Sequence, residues 1–121
     1  MDHDETSMIG DASAAADAWL GHIDAGDRAA SWRETSSLFR QMVTEEQWTE
    51  AHEKVTAVLG HALGRELRDT EHRTSVPGAP DGHYVLLKYD TRFERKQEGV
   101  ETVVTMLDTD GEWRVGGYFV Q

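Results

Sequence analysis

The chain has 121 residues, 38% of them hydrophobic, a net charge of −11 and no cysteine. This length is typical of one domain, and the lack of cysteine excludes disulfides and thiolate chemistry. A surface this acidic repels phosphate backbones and anionic headgroups, so we expect neither nucleic-acid nor membrane binding. No apolar run approaches the roughly 18 residues that span a bilayer, and the acidic N-terminus is unlike a signal peptide. The sequence as written therefore predicts a soluble, cytoplasmic protein.

The N-terminal region predicts a helix after a short polar segment. Residues 1–10 are acidic and poor in apolar groups, which favours a flexible lead-in and a single domain over residues 11–121. The first helix is predicted from Ala12 to Ala25, with Asp11 as its N-cap and Gly26 as its end. Its apolar stripe has helical spacing and comprises Ala12, Ala15, Ala16, Trp19, Leu20 and Ile23.

Two short helical segments follow before a longer helix. The first is predicted over Asp27 to Trp32, and the second over Leu38 to Val43 with Ser36 or Ser37 as its cap.

The longer helix has the clearest start in the chain. Thr44 and Gln47 form a capping-box pattern, with two glutamates between them at the positive end of the helix dipole. We predict that this helix ends near Gly64. Its apolar face comprises Trp48, Ala51, Val55, Val58, Leu59 and Ala62, and His52 flanks that face.

The apolar period changes from 3.6 to 2 after the helices. A charged stretch, 65–76, predicts an edge strand, and the segment 77–82 predicts a turn. The next strand alternates: Val85, Leu87, Tyr89, Thr91 and Phe93 share one face, while Leu86, Lys88, Asp90, Arg92 and Glu94 share the other.

Two further strands complete the predicted sheet. A turn is predicted at 96–99, a central strand at 100–107, and a hairpin at Asp110-Gly111 leading into the last strand, 112–120. Gly116-Gly117 within that strand predicts a bulge or a sharp bend. The whole pattern indicates an α+β fold, with N-terminal helices packed on a curled four-stranded antiparallel sheet.

Several segments in this order resemble the bacterial domain-of-unknown-function family 4019. They are AAADAWLGHIDAGDRAASW, LFRQMVTEEQW, LGHALGREL, VPGAPDGHYVLLKYDTRF, VETVVTMLD and DGEWRVGGYFV, within residues 12–121. The resemblance implies a cystatin-like or nuclear-transport-factor-2-like α+β roll. It implies no catalytic residues, because the family has no established biochemical role. Relatives are often exported by a signal sequence, which gives a periplasmic or exported location as the alternative.

Signatures of metal and nucleophilic chemistry are missing from the sequence. The six histidines show no H-x-x-x-H or H-E-x-x-H spacing, so we expect no metal site and no cofactor. There is no G-x-S-x-G elbow and no glycine-rich phosphate loop.

A cone between the first helix and the sheet is the candidate ligand pocket. Its candidate residues are Trp19, Tyr89, Asp90, Glu101, Arg114 and Tyr118. A carboxylate buried beside aromatic rings has a raised pKa and can act as a general base. We predict that Glu101 lines a cavity with Tyr89 and Tyr118, whereas alternation turns Asp90 away from Tyr89. The alternative is that the aromatic rings simply fill the core.

A basic cluster on the sheet is the candidate interaction patch. It comprises Lys88, Arg92, Arg95 and Lys96, opposite a helical half that is strongly acidic. This patch could dock an acidic partner or a second copy. The alternative is an ordinary charged outer face of the sheet, balanced by Asp90 and Glu94. Three hypotheses follow: a non-enzymatic binding module, including a homodimer through the sheet; a small-molecule carrier or isomerase-like enzyme with its site in the cone; and a structural accessory domain. The sequence favours the binding module.

Overall fold

The computed structural model describes residues 4–121, in which four helices precede four strands. The helices are α1 (Glu5–Ala25), α2 (Arg28–Arg33), α3 (Ser37–Met42) and α4 (Glu45–Leu59). The strands are β1 (Ala62–Arg73), β2 (Tyr84–Phe93), β3 (Lys96–Leu107) and β4 (Trp113–Val120). The strands form one antiparallel sheet in the order β1-β2-β3-β4. This arrangement confirms the predicted α+β fold.

Helix α1 begins earlier than predicted. Its N-cap is Asp4, whose carboxylate accepts a hydrogen bond from Ser7 N at 2.7 Å, and not Asp11. Residues 5–10 are therefore helical, which corrects the predicted lead-in there, while residues 1–3 lie outside the described residues. The reason is tertiary: Met8 is buried and extends the apolar stripe by one turn. The helix ends at Gly26 as predicted, with φ 72°.

The remaining helix starts match the sequence closely. Asp27 caps α2 and Ser36 caps α3. The capping box at the start of α4 is confirmed, since Thr44 and Gln47 exchange both of its hydrogen bonds.

The end and the buried face of α4 differ from the prediction. The helix ends at Leu59, because Gly60 has φ 78° and a side chain there would collide with Glu94. Ala62 consequently belongs to β1. Val58 is 69% exposed, whereas His52 is buried.

The predicted alternation of β2 is confirmed. We call the face that carries Val85, Leu87, Tyr89, Thr91 and Phe93 the inner face, because these residues are all buried beneath the helices. We call the opposite face, with Leu86 and the charged residues of β2, the outer face. Strand β1 is the predicted edge strand, although it spans 62–73.

The β2–β3 turn is shorter than predicted. Phe93 pairs with Lys96, so the turn is Glu94-Arg95 and residues 96–99 are part of β3. Gly99 is needed there because a Cβ would lie 2.7 Å from the Phe93 ring. Between β3 and β4, Val104 pairs with Gly117 but the next residue, Thr105, pairs with Val115. Gly116 is therefore an extra residue in β4, which confirms a bulge at this position.

The core lies between α1, α4 and the inner face of the sheet. Trp19 is its centre: it lies 5.7 Å from Trp48 and 5.2 Å from Tyr118, measured between ring centroids. The buried residues of this cluster are Ala12, Ala16, Trp19, Leu20, Trp48, Val85, Leu87, Tyr89, Val103 and Val115.

Candidate functional site

Glu101 is the polar centre of the cone. It lies on the inner face of β3 and is 0% exposed. Its carboxylate accepts hydrogen bonds from Thr91 Oγ1 at 2.5 Å and from the Tyr118 hydroxyl. Such a group is stable in an apolar interior only when its charge and both oxygens are satisfied.

Arg65 supplies the compensating charge from β1. It donates from Nε to Glu101 Oε1 at 2.6 Å and from Nη2 to Oε2 at 3.1 Å. The same guanidinium makes two bonds to Asp24, near the end of α1, at 2.8 and 3.0 Å. Burial alone would lower the pKa of Arg65, but the bonds to Asp24 and Glu101 outweigh it and raise the pKa. The five residues Asp24, Arg65, Thr91, Glu101 and Tyr118 are called the Glu101 cluster below.

The cavity that borders Glu101 and Tyr118 is almost filled. It measures about 30 Å³ and also borders Asp24 and Arg65. Burial, and then the negative charge of Glu101, raise the pKa of Tyr118, so its hydroxyl remains protonated. A volume of this size is suited to one water molecule and is far below that of ordinary ligand pockets.

The structure separates the six residues predicted for the cone into two groups. Trp19, Glu101 and Tyr118 are inside, and Tyr89 is also buried there, with its hydroxyl 3.3 Å from an Asp17 oxygen. Asp90 and Arg114 lie on the outer face, which corrects their grouping with Glu101. For Asp90 the cause is the alternation already noted. Arg114 lies on the outer face because the register of β3 and β4 pairs it with Met106, which is itself on that face.

Arg114 belongs to an ion-pair network at the β3–β4 hairpin. It donates to Asp110 at 2.7 and 2.9 Å and to Asp108 at 3.3 Å. Asp108 also accepts bonds from Ser37 N at 2.9 Å and Ser37 Oγ at 2.7 Å. The network therefore fixes the hairpin to the start of α3.

This network predicts acid-sensitive stability. Burial alone would raise the pKa of Asp108, but hydrogen bonds from Ser37 and Thr109 outweigh it and lower the pKa. Hydrogen bonds from Arg114 lower the pKa of Asp110 to about 2. Because both folded-state pKa values are depressed, the stabilisation is complete above the ordinary value of about 3.9 and is lost as the pH falls below it, for Asp110 as the pH falls towards 2.

The variant Asp108→Asn tests this dependence by urea unfolding at several pH values. We expect it to cost about 1 to 3 kcal/mol at pH 7 and progressively less as the pH falls below about 4, because the wild type then loses the same charge. Asp69→Asn, at an exposed carboxylate, is the control, and it should change the free energy of unfolding little at any pH in the series. A pH-independent cost for Asp108→Asn would contradict the prediction.

The four residues of the predicted interaction patch are all exposed, on the outer face and at the adjoining β2–β3 turn. Lys88 and Arg92 are exposed on the outer face. Arg95 lies in the β2–β3 turn and donates to the Ala57 carbonyl at 3.1 Å, so it holds the end of α4. Lys96 is exposed at the first position of β3.

An apolar groove lies on the outer face, towards the opposite end of β2 from Arg92. Its walls are α3 and the β1–β2 loop (residues 74–83), its floor is the sheet, and its volume is about 450 Å³. We call it the outer groove. It is lined by Leu38, Phe39, Met42, Val43, Arg73, Val76, Pro77, Gly78, Ala79, Tyr84, Leu86, Val104, Met106, Gly116, Gly117 and Phe119.

The outer groove escaped the sequence analysis because it is assembled from separate parts of the chain. Leu38 and Met42 come from a short helix whose position relative to the sheet has no local signature. One signal was available: Leu86, Val104 and Met106 are apolar at positions of the strands that face away from the helices.

Other possible sites have less structural support. Among residues 4–121, no group of three or more His, Asp or Glu side chains could hold a metal ion. Within the same residues, no helix is long and apolar enough to cross a membrane.

The fold and these surfaces define a small α+β domain with a packed interior and an apolar outer groove. A family model described as "Protein of unknown function (DUF4019)" matches residues 15–118, and the chain belongs to this family. A search of curated proteins gives no match.

Proposed function

We propose that this protein is a non-enzymatic binding module that holds an apolar, acid-flanked segment of another protein in the outer groove. The observation that carries the proposal is the composition of the groove. The chain has 23 Asp and Glu residues, yet none of the described residues that line the groove is acidic. A lining that is apolar apart from Arg73 and its few polar backbone groups, on a strongly acidic molecule, is typical of a docking surface.

Two exposed side chains give the groove suitable anchors. Phe119 is 61% exposed on its floor and Met42 is 69% exposed on its wall. Aromatic side chains and methionine are enriched at the centres of protein interfaces, and methionine adapts to partners of different shape. Covering these two side chains would supply the main apolar contribution to binding.

The charges beside the groove indicate the chemistry of the partner. Lys88 lies in the same row of the sheet as Thr102 and Phe119, and Arg92 continues the outer face beyond it. Lys88 is exposed in the row of Phe119, and Arg92 is exposed further along the outer face, away from the groove. A segment whose flank beyond the groove is acidic therefore complements them. The partner is therefore an apolar segment with an acidic flank.

The alternative site in the cone has less support. Its cavity of about 30 Å³ is smaller than a substrate, and its carboxylate is already bound to Arg65, Thr91 and Tyr118. The outer groove has a volume in the range of ordinary ligand sites.

Peptide selection followed by binding measurements tests the proposal. A random peptide library displayed on phage is selected against the untagged protein, and the affinity of enriched peptides is measured by fluorescence anisotropy. We expect apolar peptides with acidic flanks. Phe119→Glu and Met42→Glu should weaken their binding by tenfold or more, roughly the effect of losing a central contact. Lys88→Glu should reduce the association rate and its salt dependence.

Val58→Glu is the matched control, because Val58 is as exposed as Met42 but lies on α4. The Val58→Glu variant should bind the selected peptides with the affinity of the wild type. The proposal is overturned if no peptide is enriched, or if Phe119→Glu binds as well as the wild type. It is also overturned if native mass spectrometry finds a dimer that Phe119→Glu dissociates, because a second copy would then fill the groove.

A further inference from the structure

His72 and His83 are brought together by the β1–β2 hairpin. They are eleven positions apart in sequence, at the end of β1 and just before β2. Their rings are nearly parallel, at 19°, and His72 Nε2 lies 3.1 Å from His83 Nδ1. The two imidazoles therefore close the base of the β1–β2 loop.

We infer that this histidine pair is a chelating site for a borderline divalent cation such as Zn²⁺ or Cu²⁺. In a tetrahedral zinc site with Zn–N bonds of 2.0–2.1 Å, two ligand nitrogens are about 3.3 Å apart. The observed separation of 3.1 Å is that of a hydrogen bond between the two rings, so an ion that binds both nitrogens must displace its proton and widen the separation slightly. Imidazole nitrogen is also a preferred ligand of these ions.

The second nitrogen of His72 supports this assignment. Its Nδ1 lies 3.7 Å from Glu5 Oε2 of α1, and the ring is 14% exposed. This separation is too long for a hydrogen bond, so Glu5 contributes a nearby negative charge that favours a cation and does not fix the tautomer of the ring. His83 is positioned by its backbone, because its carbonyl accepts a hydrogen bond from Leu107 N at 3.0 Å.

The surroundings leave room for the other ligands of the ion. A hollow open to solvent borders His72 and residues 73–77, so water can occupy the remaining coordination positions. Asp81 and Asp108 share a second hollow with His83, and Arg73 beside His72 is paired with Glu71 at 3.1 Å. Asp108 is already bound to Ser37 and Arg114, so Asp81 and Glu5 supply the remaining negative charge that favours a cation.

Isothermal titration of the untagged protein with ZnCl₂, CuCl₂ or MgCl₂ tests the inference. At pH 7.5 we expect one saturable site for Zn²⁺, tighter binding of Cu²⁺, and no binding of Mg²⁺, which prefers oxygen ligands. Lowering the pH to 5.5 should weaken binding strongly, because protons compete for the same nitrogens. His72→Ala and His83→Ala should each abolish the site, and Glu5→Gln should weaken binding only slightly, because it removes one nearby exposed charge.

His61→Ala is the control, since His61 is an exposed histidine remote from the hairpin, and it should bind as the wild type. Circular dichroism verifies that each variant is folded, and imidazole ¹⁵N shifts of the wild type show whether Nε2 of His72 and Nδ1 of His83 coordinate. Binding that persists in His72→Ala/His83→Ala, or no saturable binding of Zn²⁺ or Cu²⁺, overturns the inference and leaves a hydrogen-bonded pair. The titration does not involve the outer groove, so its outcome is independent of the proposed function.

Discussion

Replacing Arg65 with methionine is expected to lower the free energy of unfolding by about 3 to 5 kcal/mol. Glu101 is 0% exposed, and in the variant its charge would remain in the core without a partner. The bonds of Glu101 to Thr91 and Tyr118 neutralise no charge, so they cannot replace the guanidinium. Urea unfolding followed by tryptophan fluorescence measures the loss.

Two further variants isolate the charge effect. Arg68→Met removes an arginine from the same strand, but this side chain is 44% exposed and its ion pairs are at the surface, so a cost below about 1 kcal/mol is expected. Arg65→Met combined with Glu101→Gln should recover much of the loss, because no buried charge remains. If Arg65→Met cost no more than Arg68→Met, the Glu101 cluster would not be a buried ion pair in solution.

Replacing Trp19 with alanine should have a similar effect, about 3 to 5 kcal/mol, through a different cause. Trp19 is 2% exposed and contacts Trp48 and Tyr118. Its indole also donates to the Ser31 carbonyl at 2.8 Å, so the variant leaves both a cavity and an unpaired buried acceptor. Small domains are stable by only about 5 to 15 kcal/mol, and the variant should be unfolded by mild urea.

Trp113→Ala is the control for Trp19→Ala. Trp113 is only partly buried, at the start of β4. Its replacement should therefore lower the free energy of unfolding by less than half as much as Trp19→Ala does. Trp19→Phe should be intermediate, since it retains most of the ring but lacks the donor to Ser31. Equal costs for the two alanine variants would show that the core is not centred on Trp19.

The elements that the sequence predicted best are those determined by local chemistry. The alternation of β2 and the capping box at Thr44 are properties of adjacent residues, and both are confirmed. The start of α1 was missed because residues 5–10 include Gly10 and few strong helix formers. Burial of Met8 against the rest of the fold outweighs that weak propensity.

The errors at the turns have a common origin. Because glycine often ends a helix or forms a turn, the long helix was predicted to end near Gly64 and a turn was predicted to end at Gly99. Both glycines lie within strands. Gly99 is required by the ring of Phe93, which packs over it, and not by a turn. Such a requirement depends on a residue in another strand, so composition cannot distinguish it from a turn signal.

The candidate sites were predictable only in part. The inward position of Glu101 follows from strand period, but its partner Arg65 comes from a strand whose bulge shifts the register. The outer groove and the histidine pair depend on how α3 and the β1–β2 hairpin lie against the sheet. Neither arrangement is encoded by spacing along the chain.

The two edges of the sheet affect how the protein behaves at high concentration. Strand β1 carries exposed charges along its length, and β4 is partly covered where Ser36 N donates to the Val115 carbonyl at 2.8 Å, next to the Gly116 bulge. Charged or interrupted edges resist the addition of a strand from another molecule, the step by which β-sheet proteins polymerise into fibrils. The protein can therefore present an apolar surface on the face of its sheet without its edges nucleating fibrils.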